Sequence, residues 1–178
     1  MARATINRTC ISDLQTDGFT QRPEEGADPN VLGDNNLETF LQSGPQGAPK
    51  IISNIQFTQP SEYAALPING VTVSVTGMAG AFKNPGQEAS IIGTVVNSGI
   101  PLQSETLNFS GNSIQTLTSP FIQGTAGMNP LRVNGLILII TTVDLIDIYE
   151  VFLTVDYGTT EGITISSGNI VMTGKVTY

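Results

Sequence analysis

Residues 136–157 read LILIITTVDLIDIYEVFLTVDY, two long β-branched and aromatic runs on either side of a short acidic segment, 144–147. Runs of this composition are typical of β-strands. In the second run, 148–157, alternate side chains would point to opposite faces of a sheet, and both faces are largely apolar. No proline follows Pro130, and proline is kept out of central strands. The tail after Pro130, residues 131–178, is therefore predicted to hold the central, best-paired strands of the fold.

The rest of the chain beyond residue 50 has the same texture. Residues 71–76 read VTVSVT, a strict alternation of valine with hydroxyl residues that predicts a half-buried strand. Asn69-Gly70 is a dipeptide typical of hairpin turns. Further candidate strands are 50–57, 89–97, 105–109, 114–118, 131–143, 148–157, 163–166 and 170–177. About eight short strands without a long amphipathic helix predict an all-β fold, an antiparallel β-sandwich or jelly-roll-like domain over residues 50–178.

The first 49 residues differ from this domain. Val, Ile and Thr together make up 8 of residues 1–50 but 44 of residues 51–178. This low β-branched content predicts an extended N-terminal arm over 1–49. Within it, Asn35 and Glu38 have the spacing of a capping box and Gly44-Pro45 is a stop signal, so we expect one short helix over 35–42. Its apolar side chains, Leu37, Phe40 and Leu41, would share one face and dock on the domain or on a neighbour.

Composition excludes several classes of function. The chain has no histidine and one cysteine, Cys10, so Ser-His and Cys-His pairs, histidine metal sites, thiolate zinc sites and internal disulfides are ruled out. A net charge of −8 argues against nucleic-acid backbones and anionic membranes as partners. We therefore expect no catalytic residue, no cofactor, no metal, no nucleic acid and no membrane. The first residues also lack the apolar run of a signal peptide.

The acidic residues of the tail are the remaining candidates for a metal site or a catalytic pair. Asp144 and Asp147 lie between two predicted strands, where they could bind Ca²⁺ or hydrogen-bond their own turn; the DxDxDG spacing of a calcium loop is absent. Glu150 and Asp156 would share a strand face about 20 Å apart, too far for a glycosidase pair. The sequence therefore predicts a non-enzymatic protein.

A polar arm before a β domain rich in Thr, Asn, Gln and Gly and poor in lysine resembles the small cement, decoration and minor capsid proteins of bacteriophages. The resemblance lies in composition and architecture. It implies a structural virion protein on the capsid surface, made in the host cytoplasm. Its partners would be copies of itself, with a homotrimer favoured, and the major capsid protein or other virion subunits. The side chains expected to make these contacts are Leu37, Phe40, Leu41, Phe152 and Tyr157.

A second interpretation is left open by the same residues. The β domain could be a receptor- or glycan-binding module of a phage tail or surface structure. Sugar sites favour flat aromatic faces, and this chain has 7 Phe, 4 Tyr and no Trp.

Overall fold

Strand β12 (Ile146–Tyr157) lies at the centre of the fold in the computed structural model of this chain. The structure describes residues 2–7, 14–23, 30–63, 68–80, 88–119, 122–123, 133, 136–157, 163–166 and 169–172. Two antiparallel sheets enclose one core, which confirms the predicted all-β, jelly-roll-like sandwich. No helix within these ranges is long and apolar enough to cross a membrane.

The first sheet has seven strands and the second has five. The first contains β1 (Ala2–Asn7), β3 (Phe19–Arg22), β4 (Phe40–Ser43), β6 (Ile68–Ala79), β9 (Gln115–Thr118), β10 (Ile122–Gln123) and β12. The second contains, in spatial order, β2 (Gln15–Asp17), β5 (Lys50–Gln56), β11 (Leu136–Thr142), β7 (Glu88–Asn97) and β8 (Ile100–Ser110). A separate hairpin joins β13 (Ile163–Ser166) to β14 (Asn169–Met172), and Ser61–Tyr63 forms a 3₁₀ turn.

The central position of β12 follows from its pairing. One edge runs along β6 for its whole length, while the other edge pairs first with β4 and then with β1. In the second sheet the middle strand is β11. The two runs of the 136–157 stretch are therefore the central strands, as predicted for the tail, whereas β13 and β14 of the same tail form a separate two-stranded sheet. Pro101 lies in β8, an edge strand, where a missing N–H is tolerated.

A bulge at Tyr149 decides which side chains of β12 face the core. Ile148 pairs with Gly77 and Glu150 with Thr76, so one extra residue is inserted at this point. Ile148 and Val151, three positions apart, consequently both lie in the core, and from Glu150 onward every second side chain points outward. Strict alternation over 148–157 would place Ile148 on the outer side of the sheet, opposite to Val151, whereas the bulge allows both to be buried.

The outer face of the second sheet is uncharged over its middle strands. Its side chains form three cross-strand rows, each read from β5 toward β8: Ile51, Thr141, Ile92 and Thr106; Ile139, Thr94 and Ser104; and Gln56, Ile137, Val96 and Pro101. We call these rows the isoleucine face. Ile92 is 46% exposed and Ile51 is 38% exposed, so the face is open to solvent.

The predicted helix over 35–42 is wrong. Residues 33–38 form turns and bends, and Phe40–Ser43 is strand β4. Leu41 pairs with Ile148 on one side and with Gln21 on the other. A two-turn helix is unstable by itself, whereas pairing on both edges of β4 satisfies the backbone and buries Leu41.

The predicted arm over 1–49 is, in its described parts, built into the sandwich. Strands β1, β3 and β4 belong to the first sheet and β2 to the second. Phe19 and Leu32 from this region are core residues. Low β-branched content did not prevent strand formation, because long-range pairing with β12 and β5 provides the partners.

The hairpin predicted at Asn69-Gly70 is wrong, and a hairpin that was not predicted joins β7 to β8. Asn69-Gly70, predicted as a turn, lies inside β6. The β7–β8 hairpin instead turns at Ser98 and Gly99, which have φ angles of 50° and 84°. Two successive positive φ values are the mark of a type I′ turn, whose twist matches the flanking strands.

Candidate binding face

The outer side of the seven-stranded sheet carries a dense set of hydroxyl groups. They project from four neighbouring strands, β1, β12, β6 and β9, because alternate residues of these strands face away from the core. We call this surface the hydroxyl face. It consists of Thr5, Thr72, Ser74, Thr76, Thr116, Thr118, Thr154 and the aromatic Phe152.

Phe152 lies in the middle of these hydroxyls. Its row across the sheet continues through Ser74 to Thr118. The next row on one side contains Thr5, Thr154 and Thr72. The ring is half-buried and so presents part of its surface to solvent. An apolar platform edged by donors and acceptors is the usual composition of a small polar-ligand site.

The hydroxyls are held in place by one another. Ser74 Oγ lies 3.0 Å from Thr118 Oγ1, and Thr76 Oγ1 lies 2.9 Å from Thr116 Oγ1. Ser74 and Thr76 are buried, with 4% and 8% of their surface exposed, so a ligand can reach these pairs only through the exposed partners, Thr118 and Thr116. Because strand pairing fixes both members, the cost of ordering them is already met in the fold.

Beyond Phe152, the same side of the sheet becomes charged and aromatic toward β4 and β3. Arg22 Nε donates to Gln42 Oε1 at 3.3 Å, and Gln42 Nε2 donates to Asp147 Oδ1 at 3.0 Å. Phe40 packs against Tyr149 with ring centroids 5.0 Å apart and planes inclined at 37°. Burial, and then the charge of Asp147, raise the pKa of Tyr149 above its usual value, so its phenol stays protonated at neutral pH.

An open groove of about 440 Å³ follows this edge of the sheet. Arg22, Gln42 and Thr20 line one side, and the backbone turn at Gly44-Pro45 with Leu145 lines the other. The groove lies at the β3–β4 end of the sheet, to which the Arg22–Gln42–Asp147 row belongs. It could hold an extended ligand that continues past the hydroxyl face.

Glu150 is a buried carboxyl group next to Thr76. The backbone N–H of Asn36 donates to Glu150 Oε1 at 3.0 Å and also to Asp34 Oδ1 at 2.9 Å. Burial raises the pKa of Glu150 to about 7, helped by its hydrogen bond with the Asp34 carboxyl and opposed by backbone N–H groups of Asn36 and Asn35. At neutral pH this side chain is therefore part protonated and can both donate and accept.

The backbone of Leu32 attaches this acidic segment to the central strand. Val151 N–H donates to Leu32 O at 2.9 Å, and Leu32 forms a parallel bridge with Glu150. Leu32 has a φ of 72°, a left-handed conformation that is costly for leucine, yet its side chain is fully buried. Burial and the hydrogen bond to β12 together hold Asp34 and Asn36 beside Glu150.

Asp144 is a structural residue of the β11–β12 turn. Its Oδ2 accepts hydrogen bonds from Ser90 N–H at 2.8 Å and Ser90 Oγ at 3.1 Å, and its Oδ1 accepts one from Gln46 Nε2 at 3.2 Å. Asp147 is bound to Gln42 on the other side of the turn. Within the described ranges, no three acidic or cysteine side chains converge on one point. The geometry thus favours the turn interpretation of Asp144 over the calcium interpretation.

Asp144→Ala is expected to lower the free energy of unfolding by about 2 kcal/mol, because it leaves the half-buried Ser90 N–H without its charged acceptor. Urea denaturation measures the effect. Asp17→Ala, at an exposed position of the edge strand β2, is the matched control and should change stability by less than about 0.5 kcal/mol. A midpoint of the native chain that rises with millimolar Ca²⁺ would contradict the turn interpretation.

The structure separates the five predicted contact residues into two groups. Leu37 is 50% exposed, and Phe40 and Phe152 are half-buried on the outer side of the first sheet, so all three are accessible. Leu41 and Tyr157 are core residues and are not available for contact, which corrects that part of the prediction. Both side chains point into the core, and Tyr157 does so in phase with Leu153 and Val155 of the same strand.

The hydroxyl residues were not among the predicted site residues. Their alternation with valine in 71–76 predicts a half-buried strand, and by itself it does not predict a binding site. The signal that could have found them is the same alternation of hydroxyl residues in 115–118, the strand that pairs with it. Which strands are neighbours is a tertiary fact, and the sequence pattern does not contain it.

No family model matches the chain, and no curated protein matches it either. Among solved structures, the chain is similar to the C-terminal CBM6 of LamC, a marine laminarinase from Zobellia galactanivorans, with a TM-score of 0.47 and 11% identity over 86% of this chain and 99% of that one. It is also similar to the CBM36-1 domain of a multidomain xylanase from the hindgut metagenome of Trinervitermes trinervoides, with a TM-score of 0.42 and 13% identity over 89% and 100% of the two chains. A carbohydrate-binding module CBM36 in complex with calcium and xylotriose gives a TM-score of 0.36 and 11% identity over 89% and 100%. No site residue is transferred from these structures.

Proposed function

We propose that this protein is a non-catalytic β-sandwich module that binds a glycan on the hydroxyl face. The observation that carries the proposal is the position of Phe152, a partly exposed ring with hydroxyl groups in its own row and in the rows on both sides. A sugar ring has an apolar C–H side and a rim of hydroxyls. The apolar side can pack on Phe152 while the rim bonds to the accessible hydroxyls of Thr118 and Thr154.

The negative charge of the chain favours neutral over anionic glycans as ligands. The net charge is −8, and Glu150 and Asp147 lie on the same side of the sheet as the hydroxyl face. A negative field lowers the local concentration of anionic ligands. Neutral oligosaccharides are therefore the expected class, with the groove beside Arg22 and Gln42 able to hold a neighbouring sugar unit.

Phe152→Ala is expected to weaken glycan binding at least about tenfold, equivalent to about 1.4 kcal/mol, because the platform for the sugar ring is lost. A glycan array with the native chain identifies ligands, and calorimetry with the best one measures the change. Thr118→Ala should weaken binding less, by a few-fold, because it removes one hydrogen-bonding group.

Ile100→Ala is the matched control, since Ile100 is 55% exposed at the β7–β8 hairpin of the other sheet. Circular dichroism of each variant establishes that the sandwich is intact at the temperature of the assay. Native affinity in Phe152→Ala would overturn the proposed face, and an array without any bound glycan would overturn the proposed function.

A structural role in a virion, cementing or decorating a capsid, is a second proposal. The isoleucine face favours it, since an open, uncharged sheet surface suits contact with another subunit. Sedimentation of the chain with purified phage particles tests it. A chain that stays in the supernatant at every concentration would count against the role.

A further inference from the structure

The isoleucine face, like the hydroxyl face, is a surface without charge in an acidic protein. None of the side chains in its three rows is charged, although the chain as a whole has 15 acidic residues and 7 basic ones. The acidic groups stand at its borders, with Asp17 on the edge strand β2 beside Ile51 and Glu88 at the first residue of β7. The surface is therefore an uncharged, mostly β-branched centre, in which isoleucine and valine alternate with hydroxyl and amide groups, and it has a negative border.

This distribution of charge favours a partner whose contact surface is also uncharged at its centre. A basic partner would find no carboxylate in the centre to pair with, and a charged side chain placed there would lose its hydration without compensation. Two uncharged centres can come together without burying a charge. Sheets with the same twist stack face to face with their strands about 30° apart, as the two sheets of a sandwich do. A second copy of this chain offers such a surface.

The area of the isoleucine face indicates how strong such a contact would be. Four strands about 4.8 Å apart and three rows about 6.8 Å apart make a patch of about 400 Å² per copy, or about 800 Å² for a pair. Stable complexes bury about 1,200–2,000 Å², and smaller contacts are weak and transient. When the same patch is used on both copies, the two copies are related by a two-fold axis and each patch is fully occupied. The product is therefore a dimer and not a trimer.

We propose that this protein forms a weak symmetric dimer by stacking the isoleucine faces of two copies. A contact of this size is weak, so the dimer is expected at high protein concentration and is expected to dissociate on dilution. The dimer leaves the hydroxyl faces on its two outer sides, since these belong to the other sheet of each copy. Self-association and glycan binding are therefore separate properties, and either can fail without the other.

The like charge of the two copies gives the dimer a characteristic salt dependence. With −8 on each chain, repulsion between the copies is long-ranged at low ionic strength. Raising the salt concentration from about 10 mM to about 150 mM shortens the screening length from about 30 Å to about 8 Å. The dimer is therefore expected to strengthen several-fold with salt, whereas an association driven by opposite charges would weaken.

Sedimentation velocity of the native chain over a range of concentrations, at low and at physiological salt, tests the proposal. Ile92→Lys places a charge at the centre of the face, where Ile92 is already 46% exposed, and should weaken the dimer at least about tenfold. Thr94→Arg, in the adjoining row, should do the same. Ile114→Lys, at a 42% exposed position before β9 of the other sheet, is the control and should dimerise like the native chain.

Each result either supports or overturns the proposal. A dimer that is lost in Ile92→Lys and in Thr94→Arg but kept in Ile114→Lys supports it. A monomer at all concentrations, a trimer, or a dimer that survives both substitutions would overturn it. The unfolding midpoints of the variants, compared with that of the native chain, show whether a loss of dimer reflects the interface or the fold.

Discussion

Phe109→Ala is expected to lower the free energy of unfolding by about 3–5 kcal/mol, a large part of the stability of a domain of this size. Phe109 lies on the inner side of β8 and is fully buried. Its ring crosses the core and ends against Gly77 of the opposite sheet, where a Cβ would stand 3.0 Å from Phe109 Cε1. Removing the ring thus leaves a cavity between the two sheets, and their pairing keeps them from closing it.

Three further variants make this expectation specific. Asn108→Ala changes the exposed neighbour on the same strand and should cost less than about 0.5 kcal/mol. Phe109→Leu keeps most of the apolar volume and should cost less than Phe109→Ala. Gly77→Ala should destabilise by about 1–3 kcal/mol, since the added methyl meets the ring and Asp147 O. Urea denaturation measures all four, and a cost for Phe109→Ala as small as that for Asn108→Ala would contradict the packing described here.

Stability is expected to fall as the pH rises from about 4.5 to about 7, because of Glu150. The pKa of Glu150 is about 7 in the fold, above its ordinary value of 4.5, so the folded chain binds a proton that the unfolded chain has already released. The stabilisation is fully present below pH 4.5 and is lost as the pH passes 7. A shift of this size corresponds to about 3 kcal/mol, which partial contact with solvent reduces to about 1–2 kcal/mol.

Glu150→Gln is expected to remove this part of the pH dependence. The glutamine can still accept the Asn36 N–H and donate to Asp34, but it has no charged form. Unfolding midpoints between about pH 5 and about pH 8 should therefore be flatter than in the native chain, with a gain in stability at the alkaline end. Glu62→Gln, on the exposed 3₁₀ turn, is the control and should keep the native slope. A native slope in Glu150→Gln would assign the pH dependence to other groups.

The integration of the described parts of residues 1–49 into both sheets also changes which experiments are informative. Deleting the predicted arm would remove Phe19, Leu32 and Leu41 from the core. A loss of any activity in such a deletion would report unfolding. Single substitutions on the hydroxyl and isoleucine faces leave the core intact and separate the two surfaces from each other.

The class of the fold, the positions of most strands and the presence of the central strands in the tail after Pro130 follow from the sequence alone. Period-two alternation and the absence of proline are local properties, so a short window of the sequence is enough to detect them. The composition also excluded histidine chemistry, because a residue type that is absent cannot act, and it excluded thiolate zinc sites and internal disulfides, because one cysteine cannot form them. These conclusions needed no knowledge of which segments are neighbours.

Tertiary structure alone decided the rest. The capping pattern at Asn35 and Glu38 is a valid local helix signal, but β4 forms there because β3 and β12 pair with both of its edges. The bulge at Tyr149 placed Ile148 and Val151 on the same side of β12, and the pairing of β6 with β9 and β12 assembled the hydroxyl face from segments more than 30 residues apart. Each of these outcomes depends on hydrogen bonds between distant segments, whose free energy exceeds the small local preferences that a sequence pattern records.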